Sequence, residues 1–336
     1  MPSFSETAAD PSQGASYFDA GIDQSCCPRW TASADAIILQ RIGTFNQTLV
    51  TTYPVAPPPI PMSQLIVGQG TDRLYSGDLT QGFAAGSKIG LIQHGDDGYD
   101  LEFSFFEVEG WKNAQSISSG TDTTPVFVAP GGFVQTTDSA TQYMQWGYAT
   151  RLYNAEINAR WDLFPRVTML AGFRWANVSE QLLGTLPPQR MVPFWNTETK
   201  NNLYGFQIGA EGKLLERGRF SLDCVVKAGL SGNHAEETTT VSIYRILYQE
   251  TASTDHAAFV GDIGVQCKYQ VTRRLSLRAG YQAIWLQGIA LAPAQIPETY
   301  SHLAILPQDI YVQALGVNSG SGVFYHGAAA GLEYSF

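Results

Sequence analysis

Along most of the chain apolar and polar residues alternate with a period of two, the spacing of a strand with one face in an apolar phase. The clearest run sets Tyr153, Ala155, Ile157, Ala159, Trp161 and Leu163 on one face. Asn154, Glu156, Asn158, Arg160 and Asp162 lie on the other. The same rhythm predicts strands over 31–41, 83–93, 99–112, 145–164, 167–183, 200–215, 219–230, 257–271, 275–289 and 323–336. In the last of these, Ala328, Ala330, Leu332, Tyr334 and Phe336 share a face. That fits a strand that closes a sheet against the first one while facing lipid.

The connections have a rhythm of their own. Short turns are predicted at 94–98, 165–166, 216–218 and 272–274, and long connections at 42–82, 113–144, 184–199, 231–256 and 290–322. A membrane barrel has this two-sided pattern because the turns at one rim are short and the loops at the other are long. A soluble sandwich has no reason for it. The pattern therefore predicts an all-β fold, a transmembrane antiparallel meander β-barrel of about ten strands. Short turns and both termini would be periplasmic, with the long loops outside. A segment at 241–249 inside one long connection leaves twelve strands open.

Composition agrees with lipid as the solvent of the outer face. Charged residues are 15 % of the 336 residues, where soluble domains carry about 25 %. Aromatic residues reach 12 % and glycine is high at 33. The net charge of −10 and the small number of Lys and Arg, 20, argue against a nucleic-acid partner. No apolar run is long enough for a transmembrane helix. Met1–Asp10 lacks the basic start and apolar core of a signal peptide, so a removed export signal is expected.

Two domains follow: a leader over 1–29, Ser- and Ala-rich and tied to the barrel mouth by Ser25–Trp30, and a single barrel over 30–336. Pro54, Pro57, Pro58, Pro59 and Pro61 exclude a ladder strand over 54–61 and predict an extended, exposed run. Cys26 and Cys27 are adjacent, and no CxxC occurs, so metal-ribbon and redox motifs are absent.

Several segments together resemble the BBP7 family of outer-membrane β-barrels from planctomycetes. They are Leu152-Tyr153-Asn154-Ala155-Glu156-Ile157-Asn158, Leu170-Ala171-Gly172-Phe173-Arg174-Trp175 with Glu180, and Asn201-Asn202-Leu203-Tyr204-Gly205-Phe206-Gln207-Ile208-Gly209. Arg278-Ala279-Gly280-Tyr281 and the ending Gly331-Leu332-Glu333-Tyr334-Ser335-Phe336 complete the likeness, which runs from Trp30 onward. The ending is also similar to the insertion signal of bacterial outer-membrane barrels. The resemblance implies fold and an outer-membrane location and assigns no activity.

Alternation puts Glu102, Glu156, Arg160, Arg174, Glu211, Lys213, Lys268, Arg278 and Glu333 on the inner face. The simpler reading is an ionic network filling a narrow barrel, since buried charges must be paired. The sharper one is a constriction that selects solutes. Cys224 and Cys267 face outward on adjacent strands, as two lipid-facing thiols or as a cross-strand disulfide. Trp161, Phe173, Trp175, Tyr281, Trp285, Tyr334 and Phe336 are expected in interface girdles.

His94 lies at a short turn, and His234, His256 with Asp255, His302 and His326 lie in or beside outer loops, where a rim hydrolase would be built. No Gly-x-Ser-x-Gly or His-Glu-x-x-His accompanies them, so no enzyme, catalytic residue, cofactor or metal is expected. The function expected is a narrow passive channel for ions or small solutes. The alternative is a non-conducting structural or surface barrel. Its partners would be outer-membrane lipid and, through the loops, another copy or envelope proteins.

Overall fold

The computed structural model describes residues 28–43, 46–53, 71–118, 126–129, 133–135, 143–186, 190–243, 246–296 and 316–336. The leader up to residue 27 with Cys26 and Cys27, the proline run 54–61 and His302 lie outside the described residues. The strands are β1 (Trp30–Ile42), β2 (Thr48–Tyr53), β3 (Thr71–Tyr75), β4 (Phe83–Gln93), β5 (Tyr99–Ser118), β6 (Val126–Ala129) and β7 (Phe133–Gln135). They continue as β8 (Tyr143–Phe164), β9 (Val167–Leu186), β10 (Arg190–Arg217), β11 (Phe220–Ile243), β12 (Ile246–Gln270), β13 (Leu275–Ile289) and β14 (Ser321–Ser335).

β1, β4, β5 and β8 to β14 pair antiparallel in a closed barrel. β14 joins β1 from Ile42↔Phe324 to Thr31↔Ser335, and reciprocal hydrogen bonds of 2.9 Å between Trp30 and Phe336 finish the seam. At the same rim His94 bridges Asp100 and Thr31 at 2.9 Å each, tying the first turn to the seam. β3-β2-β6-β7 form a separate four-stranded sheet, which the sequence pattern did not predict.

The outer surface shows where lipid lies. Ile38, Ile89, Phe103, Ile157, Phe206, Ile208, Val226, Ile263, Val265 and Leu332 point outward and are exposed, which only an apolar solvent tolerates over a continuous belt. Aromatic residues bound the belt on both sides. Toward the turns stand Tyr99, Trp161, Phe220, Tyr269, Tyr334 and Phe336. Toward the loops stand Phe83, Tyr153, Trp175, Tyr204, Phe259, Trp285 and Phe324. The runs Phe220–Leu230, Phe259–Tyr269 and Phe324–Tyr334 match the roughly 9–11 residues that cross a bilayer obliquely. Of the expected girdle residues, Phe173 and Tyr281 fall within the belt instead. Phe173 packs on Phe206 at 5.9 Å, and Tyr281 bonds His326.

Two of the expected long connections are not loops. The described residues of 184–199 and 231–256 continue the ladder, with Leu183↔Asn196, Trp195↔Val241 and Val241↔Tyr248 in register. Segment 241–249 holds the tips of β11 and β12, so the barrel has ten strands and not twelve. β5 likewise runs on to Ser118, and the register slips between Arg190 and Trp195, around Pro193, which has no N–H for a ladder. Beyond the girdle an extended strand meets water on its outer face. It then needs backbone pairing but no apolar alternation, and the sequence signal fades. β5 and β8 to β12 thus rise past the bilayer as a tall half-sheet, while β1, β4, β13 and β14 stop near it.

Candidate functional site: a layered lumen

The lumen is the place where a barrel could do chemistry or pass solutes, and side chains fill it in layers. Nearest the turns is an ionic layer. Arg160 pairs with Glu102 and, at 2.7 Å, with Glu211. Arg174 pairs with Glu156 at 2.7 Å and Asp262 at 3.1 Å. Lys227 reaches Glu156 at 2.8 Å and Glu102 at 3.6 Å. Closer to the turn rim, Lys268 lies 3.3 Å from Glu333 and 3.8 Å from Asp223, and Arg278 lies 3.2 Å from Glu333 and 3.7 Å from Asp35.

Glu156 is the hub. Besides its two cations it accepts hydrogen bonds from Asn154 at 3.1 Å, Asn158 at 3.2 Å and Gln207 at 2.8 Å. Lys88 donates to Gln282 at 3.2 Å in the same layer. A cavity of about 160 Å³ remains among these groups.

Eight of the inner-face charges expected from alternation meet here: Glu102, Glu156, Arg160, Arg174, Glu211, Lys268, Arg278 and Glu333. Lys213 does not. It keeps the inner-face register opposite Asp223 but stands at the turn end of β10, where it is exposed and pairs with Glu216 at 3.1 Å. Asp35, Lys88, Asp223, Lys227 and Asp262 were missed. Parity would have found them, since Ala34 and Ala36 flank Asp35, and Leu222, Cys224 and Val226 alternate with Asp223 and Lys227.

Directly above, the wall turns apolar. Ile37, Leu39, Phe106, Val108, Leu152, Val178, Leu203, Val260, Ile284, Leu286 and Tyr325 are inward, buried and mutually packed. Trp111 joins them because Gly110, with φ +105°, is an extra residue in β5 that turns the next side chain inward. Its indole N–H donates to Leu39 O at 3.0 Å, and its ring lies 5.2 Å from that of Tyr325.

A polar clamp follows. The chain leaving β13 turns into the mouth as a short 3-10 turn, Ala292–Gln295, with Ala292, Pro293 and Ala294 buried. Glu180 accepts from Arg41, from Tyr148 OH at 2.7 Å and from the Ala292 N–H at 3.0 Å. Asn201 exchanges two bonds with Ala290, at 2.8 and 2.7 Å. Asn233 and His256 donate to Gly288 O at 3.1 and 2.7 Å. Above the clamp Leu49, Val50, Leu74 and Leu79 pack on Met144, Trp146, Leu182 and Trp195, so part of the small sheet caps the half-sheet.

The rim histidines are dispersed. His256 faces inward on its carbonyl, while His326 faces outward beside Tyr281 in the belt. His234 points outward beyond the girdle, 2.7 Å from Asp255 and 3.3 Å from Glu236. The hydrogen bond to Asp255 raises its pKa above the ordinary value of about 6.5. A raised pKa makes this contribution complete below about pH 6.5 and lost as pH rises through the folded value. NMR titration should give a midpoint above 6.5 that returns toward it in Asp255→Asn; an ordinary midpoint in the parent protein would refute the pairing.

Cys224 and Cys267 are free thiols on the outer face. Cys224 is opposite Val265 and Cys267 opposite Leu222, so they are offset along the strands and not bonded. Among the described residues no three His, Cys, Asp or Glu side chains converge as a metal site.

A family model described as "Putative beta barrel porin-7 (BBP7)" matches residues 30–336. Solved barrels are similar in fold only. The outer-membrane protease OmpT from Escherichia coli is 10 % identical with a TM-score of 0.48, covering 91 % of this chain and 97 % of its own. The toluene transporter TodX of Pseudomonas putida is 8 % identical with a TM-score of 0.35, over 91 % and 89 %. A FadL homologue of Pseudomonas aeruginosa is 9 % identical with a TM-score of 0.31, over 92 % and 90 %. No curated protein matches.

Proposed function

From the premise that this chain belongs to the BBP7 family of outer-membrane β-barrels, we propose that it is a sealed barrel, structural or surface-presenting, without catalytic activity. The observation that carries this reading is the apolar layer directly above the ionic one. Ions crossing the ionic layer would next meet Ile37, Leu39, Phe106, Val108, Trp111 and Tyr325, all buried and offering almost no polar contact. An ion loses several kcal/mol or more of solvation in such a layer. The narrow-channel reading would require that layer to open. In the orientation usual for porin-like barrels, the turn rim and both termini are periplasmic. The half-sheet then stands outside the cell and presents its polar outer face to envelope components or another copy.

Planar-bilayer recording tests this. Protein whose insertion is verified by heat-modifiable gel mobility should give no discrete steps above a heat-unfolded control. Reproducible unitary steps from the inserted protein would refute the sealed reading and restore the channel.

A further inference from the structure

The outer face of the half-sheet carries a feature that sealing does not use. Just beyond the loop-side girdle, a groove of about 680 Å³ crosses β5, β8, β9, β10 and β11. The registers align its floor in two rows. In the lower row Glu109 is opposite Arg151, Arg151 opposite Ser179, Ser179 opposite Lys200 and Lys200 opposite Glu236. In the upper row Lys112, Ala149, Gln181, Glu198 and Thr238 stand in the same relation.

The geometry points to this groove as a binding site for the phosphate of a lipid headgroup in the adjoining leaflet. Depth is the first argument. Tyr153 lies two residues below Arg151 on the same face of β8, and Tyr204 four below Lys200 on β10. Aromatic girdles mark the headgroup level, so the groove opens onto headgroups and not onto acyl chains or bulk water.

Charge is the second argument. Lys112, Arg151 and Lys200 are exposed and have no ion-pair partner among the described residues. The carboxylates beside them are mostly engaged: Glu198 accepts from Gln181 at 3.1 Å and Asn196 at 3.0 Å, and Glu236 faces His234. The lower row carries its carboxylates, Glu109 and Glu236, at the ends and its two cations at the centre, on either side of Ser179. Arg151 and Lys200 flank Ser179, and a phosphate between them would accept two charge-assisted bonds and one from the hydroxyl. Glu109 remains to accept from hydroxyl or ammonium groups of the same headgroup.

The probes are diphosphoryl lipid A and its dephosphorylated form, added to the full chain in phosphatidylcholine nanodiscs and read by native mass spectrometry. The parent protein should hold the diphosphoryl form at least ~10-fold more tightly than the dephosphorylated one, and Arg151→Gln/Lys200→Gln should lose ~10-fold or more. Lys213→Gln, at the opposite rim, should bind as the parent does. Equal binding of both probes, or parental binding by the double variant, would overturn the site; a protein partner instead of lipid is the reading those outcomes favour. Should the double variant misfold by gel mobility, Lys200→Gln and Arg151→Lys decide the matter, the first expected to weaken binding and the second to keep most of it. The result is independent of whether the lumen conducts.

Discussion

Glu156→Gln is expected to cost about 3–5 kcal/mol of barrel stability, read as a shift to lower urea in vesicle unfolding followed by gel mobility. The substitution keeps the volume of the side chain, so cavity formation is not the cause. Instead, the buried Arg174 and the partly buried Lys227 lose the carboxylate that sits 2.7 and 2.8 Å away. Arg174 keeps Asp262 and Lys227 keeps Glu102 at 3.6 Å, which places the loss toward the lower end of that range. Adding Lys227→Met should restore part of the loss, because it removes a charge left without its nearest partner. Lys213→Gln, which breaks an exposed pair, should change stability by less than about 1 kcal/mol. A Glu156→Gln barrel as stable as that control would mean that the layer is well hydrated and its pairs are worth little.

The belt between the girdles was legible from sequence because two solvents impose the pattern. Along 153–163 lipid selects Ala155, Ile157 and Trp161, and the lumen selects Glu156, Asn158 and Arg160. Above that level the inner face is apolar as well. Leu152 beside Tyr153, and Trp175 beside Ala176, no longer differ in polarity, so the apolar seal could not be read from alternation. Higher still, Glu236–Thr240 has polar side chains on both faces, and a paired strand looks like a loop. The bulge at Gly110 shifts parity by one residue, which hid Trp111. The clamp was invisible for a different reason. Arg41, Tyr148, Glu180 and Ala292 come together only through the closure of the barrel and the fold of the chain after β13.

That clamp gives the second large effect. Glu180→Ala should destabilise the protein by about 3–5 kcal/mol, since it leaves the buried Arg41 without its carboxylate and the Tyr148 hydroxyl and Ala292 N–H without an acceptor. Hydrogen exchange separates local from global loss. The Ala292 amide should exchange faster by more than the amides of Trp30 and Phe336, whose bonds close the seam at the opposite rim. Uniform acceleration at all three would mean that Glu180 supports the whole barrel and not the inserted turn. Conductance is the sharper arm. The layer beneath the turn is built by β1, β5, β8 and β13 themselves, through Leu39, Phe106, Trp111, Leu152 and Leu286, so releasing the turn should leave the lumen shut. Unitary steps appearing only in Glu180→Ala would instead make the turn a gate, and the seal would be a property of one state of the protein and not of its wall.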